Sequence, residues 1–561
     1  MKLPGQQTIR EVVLHGIREY NNLPCLSYVN NEAVTYAELG GMISNFQSKL
    51  QQQGIRKGDR VAILGPNMPN WVVAYLSVTS MGAIAVPVMP EFTPAEIRQV
   101  LNHSLSKLLI ASEKQLARIE GEDLPDLQHR VLLEDLTVTD DSPRDENRKA
   151  DTSLNRPGAD LRLIPAEVNE DDLAAIIYTS GTTGNSKGVM LTHRNIVFDA
   201  LQGFTVQPAT TGDVFLSILP LAHTYENTIG LMLPLLGGSQ IVYLDKPPTA
   251  SVLLPALAAV RPTLMLSVPL VIEKVFRNSV LPKFTHHAVL RFIYGIPLFR
   301  RLLHLAAGRK LMKTFGGRLK FFGIGGAKLD AKVEQFLREA RFPFAIGYGL
   351  TETSPLVAGG IGKNIRFQST GRVLPEVEVS LRNDPETGQP EILVRGSNVM
   401  KGYYKRPDLT AEVMTSDGWF RTGDLGYFDN QKNLHINGRL KNIIIGANGK
   451  NIIPEEIESV INTFHHVLES VVVKQKDKLV ALVHLNKEEV EARLQVFLND
   501  AKQVRQEAVR NVEQAIDDLL KELLEYVNAR VNKFSQLQAV IYQPQPFEKT
   551  ATQKIKRYLY S

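Results

Sequence analysis

The hydrophobic positions near the start of the chain alternate between two periods. Residues 36–53 repeat apolar side chains at the spacing of an amphipathic helix, and Gly54 follows them. Residues 60–65 and 107–111 are short apolar runs typical of buried strands, and residues 94–103 return to the helical period. Strands and helices that alternate in this way predict a parallel sheet with helices on both faces.

Residues 71–90 contain no charged side chain and are about as long as a bilayer-spanning helix. Gly82 and the prolines Pro87 and Pro90 interrupt this stretch, however. We therefore predict a buried helix that ends near Gly82 and a buried strand over residues 83–88, and no membrane-spanning helix.

A loop rich in glycine and hydroxyl groups lies between two short apolar runs. Residues 173–178 lead into the sequence TSGTTGNSKG, and residues 189–191 follow it. Glycines let backbone amides approach a ligand, and successive amides in a turn bind anions. A Walker A loop ends in Gly-Lys-Ser/Thr before a helix, whereas here Gly188 follows Lys187 and the next run is strand-like. The sequence predicts a polyphosphate-binding loop of a different kind.

Further candidate ligands follow other apolar runs. Glycine-rich turns at residues 323–327 and 347–353 leave room for a planar base. Glu352 is a candidate magnesium ligand, because Mg²⁺ on a nucleotide takes only one or two protein oxygens. Asp424 either contacts a ribose diol or supports its own turn. His223, between two apolar runs, either lines a pocket or is an ordinary loop histidine.

The composition is that of a globular protein with more than one domain. The chain has 561 residues, of which 43% are hydrophobic and 22% charged. The net charge of +5 does not indicate a nucleic-acid partner. The single cysteine, Cys25, excludes an internal disulfide and suits a reducing compartment. The N-terminus lacks the apolar core of a signal peptide, so we expect a cytoplasmic protein.

One segment has a strong charge bias. Residues 274–328 contain twelve lysines and arginines and no acidic residue. Within it, residues 289–315 mix large apolar and basic side chains, a pattern that can lie on an anionic membrane surface. The alternative is a solvated face that attracts a polyanionic ligand. Both interpretations stay open, with residues 283–318 as the candidate peripheral contact.

Taken together, the motifs resemble those of the AMP-forming acyl-CoA synthetases, within the superfamily of adenylate-forming enzymes. They occur in the family's order between residues 178 and 557: TSGTTGNSKG, GGA, YGLTET, STGR, RTGDLG, GRLKN and TATQKIKR. Each motif alone is weak, whereas the ordered set is specific. The resemblance implies that ATP and a carboxylate form an acyl-adenylate with release of pyrophosphate, and that coenzyme A then takes the acyl group.

The identity of the acid and of the acceptor is less constrained. Residues 487–531 form a long charged segment that we predict to be helical. This segment, the basic segment and the ending FEKTATQKIKR resemble features of the long-chain branch, so we predict a long-chain fatty acid. The alternatives are an aromatic or dicarboxylic acid, an acyl carrier protein thiol as acceptor, or a catalytically silent nucleotide-binding scaffold. The sequence does not determine acyl chain length or oligomeric state.

The resemblance also implies roles for single residues. The pyrophosphate part of ATP would be held by Thr179, Ser180, Gly181, Thr182, Thr183, Gly184 and Lys187. Magnesium would bind Thr179 and Glu352. The adenine and α-phosphate would contact Gly325, Gly326, Ala327, Tyr348, Gly349 and Thr351, and the ribose would contact Asp424 and Arg439. The catalytic residues would be Lys554, which bridges the carboxylate and the α-phosphate, His223, which lines the acyl channel, and Glu352.

The implied fold is α/β. Residues 1–438 would form a large domain of layered, mostly parallel sheets with helices and a distorted β-barrel. Residues 439–561 would form a small mobile α+β domain, with a hinge near Lys441 and residues 446–450 approaching the thiol site. Ser186 replaces a proline common in the family, which predicts a more mobile loop with the same phosphate chemistry.

Overall fold

The computed structural model describes residues 5–139, 163–179, 186–285, 287–446, 450–464, 466–476, 478–486, 505–550 and 555–560. The chain forms two compact units. The larger unit consists of Met1–Ala327, Gln335–Val379 and Val394–Phe420, and the smaller of Lys328–Glu334, Ser380–Leu393 and Arg421–Ser561. The smaller unit thus includes residues 421–438, which the sequence analysis assigned to the large domain. A functional boundary at residue 439 stays a prediction.

The strands of both units are numbered together in chain order, and through most of the larger unit they alternate with helices, as the sequence predicts. They are β1 Pro24–Tyr28, β2 Val34–Thr35, β3 Arg60–Leu64, β4 Ile84–Val88, β5 Leu108–Ala111, β6 His129–Leu132, β7 Thr137–Val138, β8 Leu173–Thr179, β9 Lys187–Thr192, β10 Val214–Ser217, β11 Gln240–Tyr243, β12 Leu264–Ser267, β13 Phe321–Ile324, β14 Phe344–Gly349, β15 Leu356–Ile361, β16 Arg372–Val373, β17 Glu378–Asn383, β18 Pro390–Arg395, β19 Gly402–Tyr403, β20 Phe420–Phe428, β21 Leu434–Arg439, β22 Ile444–Ile445, β23 Asn451–Ile452, β24 Val467–Gln475, β25 Lys478–Leu485 and β26 Ala539–Tyr542.

The helices include two π-helical segments, Tyr225–Met232 and Phe276–Val280. The α-helices are α1 Ile9–Tyr20, α2 Tyr36–Gln52, α3 Pro69–Ser80, α4 Pro94–Ser104, α5 Glu113–Arg118, α6 His193–Val206, α7 Leu233–Leu236, α8 Ala250–Val260, α9 Pro269–Val275, α10 Pro282–Thr285, α11 Ala288–Gly295, α12 Pro297–Thr314, α13 Ala331–Glu339, α14 Pro407–Val413, α15 Pro454–Ile461 and α16 Arg505–Asn528. Helix α16 covers part of the predicted helical segment 487–531, and residues 487–504 lie outside the described residues.

Local sequence explains where the first helices begin and end. Thr35 and Glu38 form a capping box at the start of α2, with the Thr35 amide 2.7 Å from the Glu38 carboxylate. Gly54, with φ +73°, follows the helix in the left-handed region. The predictions for residues 71–90 are confirmed, since α3 and β4 are both buried in the larger unit. None of the helices in the described part of the chain combines the length and the hydropathy that a membrane-spanning segment requires.

Two large sheets form the larger unit. The first has the order β19-β9-β8-β4-β3-β5-β6-β7, and β4, β3, β5 and β6 pair in parallel within it. The second has the order β16-β15-β14-β13-β12-β10-β11-β1-β2, and its strands from β14 to β1 are parallel. The predicted α/β class with mostly parallel sheets is confirmed.

The smaller unit contains most of a four-stranded sheet of order β17-β18-β20-β21. The resemblance assigns the distorted β-barrel to the large domain. The smaller unit also contains the three-stranded sheet β24-β25-β26, which packs with α15 and α16 around buried Ile457, Val483 and Leu523. Helix α15 begins at Pro454, whose fixed φ suits the first helical position, with two glutamates in its first turn. The smaller unit is therefore an α+β structure.

Candidate active site

The predicted phosphate loop connects two antiparallel strands, as its sequence indicates. Strands β8 and β9 pair from Leu173 opposite Thr192 to Thr179 opposite Lys187. The stem therefore brings Thr179, a predicted magnesium ligand, next to the loop lysine on the neighbouring strand. The loop residues Ser180, Gly181, Thr182, Thr183 and Gly184 lie outside the described residues.

Tyr403 connects the loop lysine to the candidate metal ligand. Strand β19 pairs with β9, which places the Tyr403 ring 4.9 Å from Nζ of Lys187. The Tyr403 hydroxyl donates a hydrogen bond to Oε1 of Glu352 at 2.9 Å. A cation over an aromatic face is attracted by the negative charge density of the ring. One tyrosine therefore contacts both charged groups that the sequence analysis selected for polyphosphate and magnesium.

The turn that carries Glu352 is held by its backbone. Residues Thr351–Thr353 form a 3-10 turn that packs against β9, and the Met400 amide donates to the Glu352 carbonyl at 2.8 Å. The position of Gly349 admits no side chain, because a Cβ there would lie 1.6 Å from the Pro355 carbonyl oxygen. Glu352 is thus fixed at both its backbone and its carboxylate.

The predicted adenine turns follow adjacent parallel strands. Gly325, Gly326 and Ala327 come directly after β13, and Tyr348 and Gly349 end β14. Gly326 has φ +87°, a conformation that favours glycine. A Cβ on Gly325 would lie 3.1 Å from the Tyr225 ring, so the backbone of this turn packs closely on that tyrosine. The two turns lie together at one edge of the second sheet.

An apolar cavity lies beside these turns, within the larger unit. Its wall includes Tyr225, Ile229, Leu233, Leu266, Gly323 and Gly347. The wall is predominantly apolar, as in sites that bind hydrophobic ligands. Because Tyr225 belongs to this wall and also contacts Gly325, the cavity adjoins the predicted nucleotide turn.

His223 precedes the π-helix that forms part of this wall. Its Nδ1 accepts a hydrogen bond from the Tyr225 amide at 3.2 Å, and its carbonyl accepts one from the Asn227 amide at 3.0 Å. His223 is half-buried. It thus lies next to a residue that lines the cavity, although it is not itself in the cavity wall.

Glu226 directly follows Tyr225, and its carboxyl group lies with His223 between two apolar runs of the sequence, a pattern that could line a pocket. Glu226 is fully buried and accepts a hydrogen bond from Oγ of Ser217 at 2.5 Å. Burial raises the pKa of Glu226 to about 8. Asn67 donates from Nδ2 to Oγ of Ser217 at 3.0 Å. Its signal in the sequence is the acidic residue of HTYEN, which lies between two apolar runs.

The predicted ribose ligands pair with each other in the smaller unit. Asp424 on β20 lies opposite Arg439 on β21, and Nε of Arg439 is 2.8 Å from Oδ1 of Asp424. Asp424 is buried, and its amide donates to Oγ1 of Thr422 at 3.0 Å. Lys441, the predicted hinge residue, is exposed in the 3-10 turn that follows. The predicted catalytic Lys554 lies outside the described residues, as do residues 447–449.

The described residues on each side of Lys554 are anchored within the smaller unit. Lys549 and Ile555 form an isolated antiparallel bridge. Lys549 also pairs with Glu469, and Arg557 pairs with the buried Glu458. Burial raises the pKa of Glu458.

The structure combines an α/β fold of mostly parallel sheets with a tyrosine that contacts both Lys187 and Glu352. The family model described as AMP-binding enzyme matches residues 15–404. The chain therefore belongs to the AMP-binding enzyme family, which confirms the resemblance found in the sequence.

Relatives and solved structures agree with this assignment. The chain is 30% identical over 467 residues to the long-chain-fatty-acid–CoA ligase FadD15 of Mycobacterium bovis, which covers 78% of this chain and 75% of the relative. It is 29% identical over 503 residues to the 4-coumarate–CoA ligase of Vanilla planifolia, covering 85% and 84%. ATP-bound MatB from Rhodopseudomonas palustris has a TM-score of 0.77 at 23% identity, covering 99% of this chain and 98% of that one.

Proposed function

We propose that the protein is an AMP-forming acid–coenzyme A ligase that activates a long-chain fatty acid. The observation that carries this proposal is the contact of Tyr403 with both Lys187 and Glu352. A cationic loop residue and an oxygen ligand held on one support suit a polyphosphate with its magnesium ion. Membership in the AMP-binding family and the names of the relatives support the same reaction class.

The reaction has two steps. A carboxylate oxygen of the acid attacks the α-phosphorus of ATP, the bond to the bridging oxygen of the β-phosphate breaks, and pyrophosphate leaves. The coenzyme A thiol, after losing its proton, then attacks the acyl carbon, and AMP leaves. Both steps depend on positioning and charge neutralisation more than on a reactive side chain.

The larger unit would bind the pyrophosphate and the metal. The residues from Thr179 to Lys187 would hold the leaving pyrophosphate, and Glu352 with Thr179 would bind magnesium. A carboxylate and a hydroxyl are the hard oxygen donors that this ion prefers. When bound, magnesium supplies charge neutralisation of the pyrophosphate. Tyr403 limits the rotation of the Glu352 carboxylate by its hydrogen bond.

The remaining roles are assigned by motif. Gly325, Gly326 and Ala327, with Tyr348, Gly349 and Thr351, would contact adenine and the α-phosphate. Asp424 and Arg439 would bind the ribose hydroxyls, and Lys554 would bridge the acid and the α-phosphate. Lys441 would act as the hinge between the two half-reactions. His223 would lie near the acyl carbonyl.

The lining of the cavity suits an acyl chain better than it suits a polar acid. The side chains that line the cavity are mainly aliphatic or aromatic. The apolar surface of an acyl chain would be removed from water there, with a gain of about 0.8 kcal/mol for each buried methylene group. A dicarboxylate would leave a second charge in an apolar environment, which is unfavourable.

We also propose a cytoplasmic enzyme that makes peripheral contact with an anionic membrane surface through residues 283–318. The central part of this contact surface would be the α11–α12 hairpin, residues 288–314. Phe292 is 74% and Leu298 66% exposed, and Arg291 and Arg301 are exposed near them. Large exposed apolar side chains with basic neighbours suit the interface of an anionic bilayer.

The inner side of this hairpin is polar and anchored. Arg300 forms a 2.9 Å ion pair with Glu339 on α13, and Nδ1 of His304 lies 2.7 Å from the same carboxylate. The Tyr294 hydroxyl is 2.9 Å from Nε2 of His304. Helix α12 also lies close to α13, because a Cβ on Gly308 would be 2.5 Å from the Ala340 carbonyl oxygen. The anchored inner side leaves the apolar outer side available to lipid.

The deciding experiment measures AMP and pyrophosphate release for saturated acids from acetate to stearate, with 4-coumarate and malonate for comparison. Each acid is tested with coenzyme A, with holo-acyl carrier protein and with no acceptor. We expect maximal AMP release with long-chain acids and coenzyme A. Preference for carrier protein would overturn the acceptor, preference for 4-coumarate or malonate would overturn the acid, and no release with any acid would support the silent scaffold.

A further inference from the structure

The segment between β10 and the π-helix is held by side-chain hydrogen bonds before and after His223. Asn67 donates from Nδ2 to the Leu219 carbonyl at 2.6 Å and accepts from the Leu221 amide at 2.8 Å. It also donates to Ser217, whose hydroxyl donates to Glu226. The segment that carries His223 is thus fixed before the histidine by Asn67 and after it by the Glu226 carboxyl group.

Glu226 and its neighbour Tyr225 face different surroundings. Tyr225 belongs to the cavity wall, as does Ile229 one turn later on the π-helix. The Glu226 carboxyl instead lies against its own helix at Gly230, where a Cβ would be 2.8 Å from Cδ. Its Oε2 has no hydrogen-bond partner among the described residues. A π-helical segment is uncommon and occurs frequently at functional sites.

The carboxyl group is poorly suited to a purely structural role. A buried polar atom without a partner is unfavourable, and an apolar residue of similar size would avoid this. Its hydrogen bond to Ser217 nevertheless fixes the first turn of the π-helix against the carboxyl end of β10. The residues held in place by that bond are those beside the cavity.

We propose that Glu226 is a positioning residue for the acid substrate, which holds His223 and Tyr225 in register with the cavity through Ser217 and Asn67. This inference rests on the proposed function, because the cavity is taken as the acyl site. The carboxyl group does not touch the reacting atoms. It affects the affinity for the acid and leaves the affinity for ATP unchanged.

The test compares Glu226→Ala, Glu226→Gln and Ser217→Ala with wild type. We expect Glu226→Ala to raise the KM for the fatty acid at least tenfold and to change the KM for ATP less than twofold. Glu226→Gln keeps an oxygen that accepts from Ser217, so it should restore the acid KM to within threefold of wild type. Ser217→Ala removes the hydroxyl that donates to Glu226 and accepts from Asn67, so it should raise the acid KM in the same direction. It serves as the test if Glu226→Ala does not fold.

The matched control is Asp213→Ala. Asp213 is also buried, and it lies at the opposite end of β10, where its carboxylate pairs with Lys320 at 2.9 Å. We expect this variant to lower the melting temperature without changing the acid KM. The inference would be overturned if Glu226→Ala changed the KM for the acid and the KM for ATP equally, or if Glu226→Gln did not restore the acid KM. It would also be overturned if Glu226→Ala lowered the melting temperature without changing either KM.

A binding measurement separates this inference from the proposed reaction. Titration calorimetry with palmitate, in the absence of ATP, gives the dissociation constant of the acid without turnover. If wild type is active and Glu226→Ala binds palmitate as tightly as wild type does, the positioning role alone is refuted. Wild type that neither binds palmitate nor releases AMP with any acid would refute the proposed function itself.

Discussion

The Tyr403 hydroxyl donates a 2.9 Å hydrogen bond to Glu352, a residue 51 positions earlier in the chain. The same ring lies 4.9 Å from Nζ of Lys187. The two charged side chains are thus oriented by one aromatic residue on a two-residue strand. Their relative position depends on the pairing of β19 with β9 more than on either turn alone.

Tyr403→Phe should weaken magnesium-dependent catalysis. The substitution removes the hydrogen bond to the Glu352 carboxylate and keeps the ring beside Lys187. A hydrogen bond to a charged group contributes about 1.5–3 kcal/mol, so we expect kcat/KM for ATP to fall roughly tenfold or more. The measurement is AMP formation as a function of magnesium concentration.

Tyr404→Phe is the matched control for this substitution. Tyr404 is the next residue, and its ring packs edge-on against His103 at 5.8 Å. We expect this variant to keep kcat/KM within twofold of wild type. If Tyr403→Phe behaves like Tyr404→Phe, the hydrogen bond to Glu352 has no part in catalysis.

Lys554→Ala should separate the two half-reactions. A lysine that bridges the carboxylate and the α-phosphate neutralises charge only while the acyl-adenylate forms. We expect acyl-adenylate formation to fall by about a hundredfold or more, as for other single electrostatic groups. Transfer of the acyl group from supplied acyl-adenylate to coenzyme A should change less than threefold. A comparable loss in both steps would contradict the assigned role.

The sequence was sufficient where local pattern determines structure. The strands β8 and β9 follow from two short apolar runs, and the loop between them from its glycines and hydroxyls. Asp424 and Arg439 were each selected by motif, and the structure pairs them across adjacent strands. Their role at the ribose stays a prediction.

The sequence was insufficient where distant segments meet. Tyr403 lies in an unremarkable GYYKRP run, and only strand pairing brings it to Glu352. Asn67 and Ser217 are 150 positions apart, and neither has a local pattern that predicts their hydrogen bond. Side-chain contacts of this kind depend on sheet order, which periodicity alone does not specify.

Arg557→Met should destabilise the smaller unit. Removal of the guanidinium leaves the buried Glu458 without its cation, a change that typically destabilises a protein by about 3 kcal/mol or more. We expect a lower melting temperature and slower acyl-adenylate formation, because Arg557 is three positions after Lys554. Thermal unfolding and pyrophosphate release measure these two effects.

A double variant tests the cause of that destabilisation. Glu458 also accepts a hydrogen bond from the Val472 amide at 2.6 Å, which glutamine can keep. The double variant Arg557→Met/Glu458→Gln carries no charge at either of these two positions. We therefore expect most of the lost thermal stability to return. If the double variant is as unstable as the single one, the packing of Arg557 and not its charge is what matters.

The stability of the larger unit should depend on pH through Glu226. Its pKa is raised to about 8 in the folded protein, whereas an unfolded glutamate titrates near 4.3. Between these values the unfolded chain binds fewer protons than the native one, so stability falls as pH rises, by up to about 1.4 kcal/mol per pH unit. Tyr225 and Tyr243, which interact with this carboxyl, have pKa values raised by burial and stay neutral.

Glu226→Gln removes this titration and isolates its contribution. We expect the melting temperature of the variant, relative to wild type, to rise steadily between pH 5 and pH 8 and to level off above pH 8. Thermal unfolding at unit pH intervals provides the comparison. A difference that is constant across this range would show that Glu226 does not titrate there.

Substitutions on the outer side of the α11–α12 hairpin should reduce membrane binding without loss of activity on soluble substrate. Burial of Phe292 and Leu298 in a bilayer contributes roughly 1.5–3 kcal/mol for each side chain, so Phe292→Ser/Leu298→Ser should weaken binding by at least tenfold. Arg291→Glu/Arg301→Glu should weaken it on vesicles with anionic lipid, because attraction to the charged surface becomes repulsion. Co-sedimentation with phosphatidylglycerol and phosphatidylcholine vesicles distinguishes the apolar from the electrostatic contribution.

Leu254→Ser is the matched control for these hairpin variants, since Leu254 is 51% exposed on α8, outside the hairpin. Equal binding by wild type and both double variants would show that this surface does not bind the membrane.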